Sequence, residues 1–276
     1  MAAATGKTGL KGLRGAPDWA LLLVAGFVYL FLYAPIFVLM FFSFNSTRST
    51  QVWTGFSLEW YGELLRDQSV HDAFRTSLVV GVTATAIATV IGTFAALALS
   101  RHSFRGQTSA NTAIYAATVM PEIVVGVSLL SFFVAINPFT GIELGISTII
   151  IAHVAFTISF VTIVVRARLS GMDRSLEEAA QDLGASPVQT FLRVTLPLIL
   201  PGVMAGALLA FTLSFDDFVI TFFVSGVGSS TLPLKIYSMI KFGVSPVINA
   251  LSTVVLVATM LLIFGGSRIL VKKEDA

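Results

Sequence analysis

The sequence contains no cysteine and only three histidines in 276 residues. Disulfides, thiolate metal sites and a cysteine nucleophile are therefore excluded, while the compartment is left open. Charge is also scarce. Charged residues make up 12% of the chain, against about 25% in a soluble domain, so the polar surface that water requires is missing. The net charge of +2 is too small to point to nucleic acid. A phosphate-binding loop is absent as well: Gly6-Lys7-Thr8 lacks the first glycine of that motif, because Met1 stands there, and no strand precedes it.

What the chain has is apolar length. Apolar residues make up 55% of it and the mean hydropathy is +0.88. A bilayer core about 30 Å thick needs roughly 20 apolar residues as a helix, and lipid tolerates no exposed irregular backbone. Six segments qualify, near Trp19–Phe44, Ser77–Ser100, Ala110–Ile136, Gly145–Arg168, Leu198–Val224 and Val247–Leu270. The expected fold class is therefore an all-α integral membrane protein with six transmembrane helices. It would have an N-tail over 1–18, a first span over 19–44, an external loop over 45–76, a five-helix core over 77–270 and a C-tail over 271–276. The first segment is too long for a cleaved signal peptide and lacks a small-residue cleavage site.

Basic residues give the direction. Lys7, Lys11 and Arg14 lie in the N-tail, Arg101 and Arg105 in the second loop, Arg166, Arg168, Arg174 and Arg193 around the fourth, and Arg268, Lys272 and Lys273 at the C-terminus. The other loops hold only Arg48, Arg66, Arg75, Lys235 and Lys241. The positive-inside rule places both termini in the cytoplasm.

The fourth loop carries the most specific pattern. Ser175 with Glu178 three residues on is a capping box, and Gly184 suits a left-handed helix end. Ser186-Pro187 reads as the cap and first position of a second short helix bearing Val188, Phe191, Leu192 and Leu196. Read on physics alone, this could be an ordinary amphipathic connector. Its residues, however, resemble the EAA loop of binding-protein-dependent ABC importer permeases: Glu178-Ala179-Ala180, then Gly184, Val194 and Leu196-Pro197 at the family spacing, with Val where Ile is usual. The resemblance implies a type I importer permease fold in which the loop over 173–197 docks a coupling helix into a cytoplasmic ATPase.

Three carboxylates fall inside the spans, Glu122, Asp216 and Asp217, with no Lys or Arg in the span interiors. A charge at mid-bilayer costs at least about 2.5–3.5 kcal/mol. These acids therefore line a wet cavity, are protonated, or meet a cation that arrives and leaves; three acids without a resident base favour the last. A structural role, bonded to Ser, Thr or backbone of adjacent helices, and a proton relay stay open. As neighbours on a helix, Asp216 and Asp217 point about 100° apart, which argues against the converging pair of an aspartyl protease. Pro121 weakens the ladder before Glu122. His153 reads as a packed hydrogen-bonding residue or a relay, and Gly202 with Gly206 as a close helix approach. In the first external loop Trp53, Phe56, Trp60 and Tyr61 are interface anchors or, with Glu59, Glu63 and Asp67, a surface for ammonium groups.

Taken together, Tyr33-Ala34-Pro35, Ser43-Phe44-Asn45-Ser46, Trp60-Tyr61, Met120-Pro121-Glu122, His153-Val154-Ala155-Phe156, Phe211 to Asp217 and Leu232 to Ser238 resemble the polyamine (putrescine and spermidine) importer permeases along nearly the whole chain. That resemblance implies substrate-pathway roles for Trp60, Glu122, Ser214, Asp216 and Asp217, with Glu122 where relatives often carry Asp. It implies coupling roles for Glu178, Ala179, Ala180, Gly184, Leu196 and Pro197. It also implies a second permease chain, a periplasmic polyamine-binding protein and an ATPase homodimer that holds ATP and Mg, since this chain has no nucleotide site. The setting would be a bacterial inner membrane, with no enzymatic step, metal or nucleic acid on this chain. The rival readings are an ABC importer permease for another small solute and an ion-coupled secondary carrier, of which the carrier leaves the EAA spacing unexplained.

Overall fold

The structure, a computed structural model, describes residues 18–48, 52–241, 243 and 245–274, with side chains described to residue 261. The basic residues of the N-tail, the Gly6-Lys7-Thr8 stretch and the side chains of Arg268, Lys272 and Lys273 lie outside it. The regular secondary structure of the described residues is helical apart from one isolated antiparallel bridge between Asn45 and Phe56. In chain order the helices are α1 (Asp18–Phe42), α2 (Glu59–Leu64), α3 (Gln68–Arg101), α4 (Gln107–Val119), α5 (Glu122–Thr140), α6 (Ile146–Ser170), α7 (Ser175–Asp182), α8 (Pro187–Thr190), α9 (Leu196–Asp216), α10 (Val219–Val224), α11 (Leu232–Lys241) and α12 (Pro246–Glu274).

Among the described residues five helical stretches are long and apolar enough to cross a membrane: Trp19–Phe42, Gln68–Arg101, Glu122–Thr140, Ile146–Ser170 and Pro187–Asp216. The sixth expected span coincides with α12, of which Pro246–Leu261 is a shorter apolar helix.

Two of the expected spans are not continuous. The third divides into α4 and α5, because Pro121 adopts φ −59° and ψ 131°. Met120 before it is also extended, with ψ 133°, as the clash with a proline ring demands. The fifth divides at Asp217, whose ψ of 126° ends α9 before α10 begins. Asp216 and Asp217 are thus not neighbours on one helix, as the sequence suggested; one closes α9 and the other stands outside it.

The chain falls into two compact units, residues 1–64 with 244–265, and residues 65–243 with 266–276. In the second, α3, α6 and α9 pack against one another. The face of α3 turned inward carries Ala73, Ser77, Gly81, Ala84, Ala88, Gly92 and Ala96, a stripe of small residues that lets helices approach. A side chain on Gly92 would sit 2.8 Å from Val161 of α6. Gly206 of α9 meets Val161 from the other side at 3.4 Å, and Gly202 would meet Arg168 at 2.6 Å, so the Gly202/Gly206 pair marks a close approach of α9 to α6. Outside this trio, α5 and α10 pack together around Phe133, Ile220 and Val224.

In the first unit the residues after α1 form a tight bend. Ser46 donates to the Gly55 carbonyl at 2.9 Å and Ser57 to that of Phe44 at 2.7 Å. Phe44 stacks on Phe56, Phe41 on Trp53, and the hydroxyls of Ser43 and Tyr61 bond at 2.7 Å.

Candidate functional site

The second unit holds the site, at the two helix interruptions. Gly126 stands one turn after Glu122, and a Cβ there would lie 3.4 Å from the Ile220 backbone, three residues after Asp217. The two breaks therefore lie near one another, each with an acid at or just before the helix segment that follows it.

The three acids have different surroundings. Asp217 is buried, at 8% exposure. Its Oδ1 accepts the Ile220 N–H at 3.2 Å, and its Oδ2 accepts the Thr221 N–H and the Thr221 hydroxyl, both at 2.8 Å. His153 Nε2 lies 3.2 Å from the same Oδ2 and 3.0 Å from Thr221 Oγ1. The Thr221 hydroxyl spends its proton on Asp217, so Nε2 carries the proton and donates to both. His153 Nδ1 then accepts from Ser214 Oγ at 2.7 Å. Four donors converge on one carboxylate, and every polar atom of this group has a partner. The network ties α6 to the end of α9 and the start of α10, and its members are buried.

Asp216 and Glu122 are exposed, and no hydrogen bond or ion pair reaches either carboxylate among the described residues. Beyond the break, Phe218 packs on Tyr237 of α11 with ring centroids 4.6 Å apart. The Leu232 N–H at the head of α11 is held by Ser77 Oγ at 2.8 Å.

The structure thus joins Ser214 and Asp217 through His153, a pairing invisible to a search for Lys and Arg. The spacing offers only a hint: His153 lies mid-helix among apolar residues, where a partner is obligatory. Trp60 belongs to the other unit, is 5% exposed, and donates its Nε1–H to the Asn45 carbonyl at 2.5 Å.

At the far end of the second unit the loop over 173–197 is a compact knuckle. Its first helix begins earlier than the Ser175/Glu178 box predicts: Ser175 is already helical, Arg174 stands at the cap position, and Asp173 Oδ1, two residues before Ser175, accepts the Ser175 N–H at 2.9 Å. These bonds hold the Asp173 carboxyl below the usual carboxylate range, the Ser175 backbone contributing most. Gly184 takes φ +89°, and the Ala185 N–H bonds back to the Ala180 carbonyl at 3.1 Å, the helix end the sequence suggests. A side chain on Gly184 would meet nothing within 4 Å, so glycine is required there for conformation and not for space. Ser186 and Gln189 form a reciprocal box at 3.0 and 3.3 Å ahead of Pro187.

The second short helix does not stop. It passes through five π-helical residues, Phe191–Thr195, directly into α9. Pro197 has no N–H and its ring crowds the carbonyl four residues back; the wider turn accommodates it.

Glu178, Ala179 and Gly184 are exposed and Ala180 half-buried, while Leu183 is 90% exposed. Ala180, Leu183, Gly184, Arg193 and Val194 border a groove of about 380 Å³. Leu196 is half-buried and Pro197 exposed at the start of α9. Behind this outer face, Glu177 pairs with Arg101 of α3 at 3.1 Å and accepts the Thr195 hydroxyl at 2.7 Å. Arg174 donates to the Ser100 carbonyl at 2.9 Å. The knuckle is thereby fastened to the ends of two spans. No group of three or more His, Asp or Glu suited to a metal occurs among the described residues.

Residues 88–272 match the family described as "Binding-protein-dependent transport system inner membrane component". The putrescine transport system permease protein PotI of Escherichia coli (strain K12) is 46% identical over 244 residues, covering 87% of this chain and 86% of that protein. The spermidine/putrescine transport system permease protein PotC of the same strain is 41% identical over 242 residues, covering 88% and 90%. Among solved structures, a bacterial ABC transporter involved in importing the acidic polysaccharide alginate aligns with a TM-score of 0.74 at 17% identity, over 92% of this chain and 96% of that one. That last likeness concerns the fold, which is the type I importer permease fold.

Proposed function

The chain belongs to the binding-protein-dependent transport system inner membrane component family, and we propose that it forms, with a second related permease chain, the pathway of an ATP-driven importer for a small polyamine, putrescine or spermidine. One observation carries the substrate class. Asp216 and Glu122 stand at interruptions of two spans, exposed and without a cation among the described residues, where an incoming ammonium group would supply the missing charge. Fold alone does not select the cargo, since the alginate importer shares it. The naming of the relatives at 41 and 46% identity points the same way as the charge.

In this reading a loaded periplasmic binding protein docks on the external loops. A cytoplasmic ATPase homodimer, holding ATP and Mg, receives the knuckle through Glu178, Ala179, Ala180 and Gly184, with Leu196 and Pro197 at its junction to α9. Both termini face the cytoplasm in a bacterial inner membrane, and this chain performs no chemical step of its own. Nucleotide-driven closure moves the knuckle, and Glu177 and Arg174 pass that motion to α3 and α9. The amine exchanges part of its hydration for Asp216 and Glu122; Trp60 is a further pathway residue of this reading, and Ser214 and Asp217 contribute from behind through the hydrogen bonds that hold the break. Release inward follows if the two access states differ in affinity for the amine.

The test is uptake of labelled putrescine, spermidine and a neutral solute by the assembled complex in proteoliposomes. Uptake of an amine that depends on ATP and falls at least about tenfold in Asp216→Asn and Glu122→Gln is expected. Uptake of the neutral solute alone, or driven by an ion gradient without ATPase, would overturn it.

A further inference from the structure

We propose that His153 is a positioning residue that keeps Asp217 as an internal anchor of the α9–α10 break, so that of the two adjacent acids only Asp216 is presented to the transported cation. The inference rests on the polyamine reading and deepens it by dividing the labour between two adjacent carboxylates.

The argument begins with donor counting. A carboxylate in an apolar span is tolerable when several donors replace water. Asp217 receives four such bonds, from the Ile220 and Thr221 N–H groups, the Thr221 hydroxyl and His153 Nε2–H. An incoming ammonium would have to strip one of these away, whereas Asp216 has none to lose among the described residues. Three of the four donors are local to α10 and would cap it without help. The fourth comes from α6, more than sixty residues away in the chain.

Among the described residues, His153 hydrogen-bonds to side chains on both sides of the break. Its Nδ1 takes the Ser214 hydroxyl, two residues before Asp216 on α9, and its Nε2–H reaches Asp217 and Thr221, after it. The ring thereby fixes how the last turn of α9 is set against α10, and with it the direction in which Asp216 leaves the helix. Burial gives the ring no freedom to do otherwise, at 1% exposure. Ser214 and Asp217 on this account act through His153 and not by touching the substrate.

The geometry separates two near-isosteric replacements. Glutamine can place a donor where Nε2 stands, and asparagine can place a polar atom only near Nδ1. In the assembled complex His153→Gln is expected to keep amine uptake within about twofold, and His153→Asn to lower it about tenfold. A double-mutant cycle supplies the decisive reading. If His153 works through Asp217, Asp217→Asn adds little, under about twofold, to the loss in His153→Asn. Multiplicative losses would make Asp217 an independent substrate ligand and overturn the proposal, as would equal loss in both His153 variants.

A second measurement needs no transport. The chain has no cysteine, so Asp216→Cys is the only thiol on it. With His153 in place this thiol is expected to react with a charged, membrane-impermeant thiol reagent, and at least about threefold more slowly in the His153→Asn background. An unchanged rate overturns the positioning role. If the wild-type complex imports no amine, the polyamine reading fails, and the labelling comparison still decides the role of His153.

Discussion

The two interrupted spans reach a similar architecture by different means. At Met120-Pro121 the cause is local: a ring that removes one N–H and forces its predecessor into an extended conformation. At Asp217 no residue is a helix breaker by itself. The break is held by side chains that meet only after folding, among them His153 on α6 and Thr221 on α10. A locally caused break should survive changes around it, whereas a tertiary one should fail when one partner is removed.

The largest effect is expected where the tertiary break loses its anchor. Asp217→Leu strands the Thr221 hydroxyl proton and two backbone N–H groups in a buried site and leaves His153 Nε2–H with Thr221 Oγ1 as its acceptor. Removing one member of a buried charged network costs about 3–5 kcal/mol. The expected outcome is a sharp fall in complex recovered after detergent extraction, with a lower Tm, measured by size exclusion and thermal unfolding. Normal recovery would mean that α10 holds the break alone.

Next comes Gly126→Ala, which acts on the contact between the two breaks. The new methyl would sit 2.7 Å from Phe223 and 3.4 Å from the Ile220 backbone. Overpacking costs about 1–3 kcal/mol, so a smaller fall in Tm is expected, with reduced uptake. A pair that moved together without resistance would leave both unchanged.

Pro121→Ala tests the local break. It restores an N–H and frees Met120, so α4 and α5 gain the option of a continuous helix. Stability should hold or fall slightly, by about 0.5–1 kcal/mol at most, because the unfolded chain regains freedom that the proline ring removes, while amine uptake drops several-fold because Glu122 is re-aimed. A larger loss of stability would show that this interruption, too, is held by contacts elsewhere.

The same division explains what the sequence made legible. Five long apolar spans with a shorter sixth, the Gly184 stop and the Ser186-Pro187 start depend on composition or on a few adjacent residues, and each is present, although the third and fifth spans are interrupted. The residues named in the fourth loop from its spacing lie on one outward-facing knuckle. The Asp217 network was not legible, because its partners are more than sixty residues apart and a histidine does not register in a count of Lys and Arg. Asp216 and Asp217 read as equals in the chain, and only the fold separates an exposed carboxylate from a buried one. The cap of α7 was misplaced for a smaller reason. Asp173 and Ser175 both offer a side-chain acceptor there, and the structure uses Asp173, beside an Arg174 that donates to the Ser100 carbonyl of α3.

The smallest effect belongs to that cap. Asp173 is fully exposed and held below its ordinary acidity range by the Ser175 N–H and hydroxyl. A carboxyl lowered by folding contributes stability that is present above its unfolded value and is lost as pH falls through the folded one. The knuckle should therefore loosen only below about pH 4, the reference range for an aspartate, and be indifferent to pH near neutrality. Asp173→Asn keeps an acceptor oxygen and should remove that acid dependence without changing the neutral state. Hydrogen exchange at the amides of Ser175 to Glu178, compared at low and neutral pH in the assembled complex, reads this directly. Equal acid sensitivity in the variant would place the titrating group elsewhere on the knuckle. Glu177 would be the next to examine, since its carboxylate is shared between Arg101 and Thr195 and links the knuckle to α3.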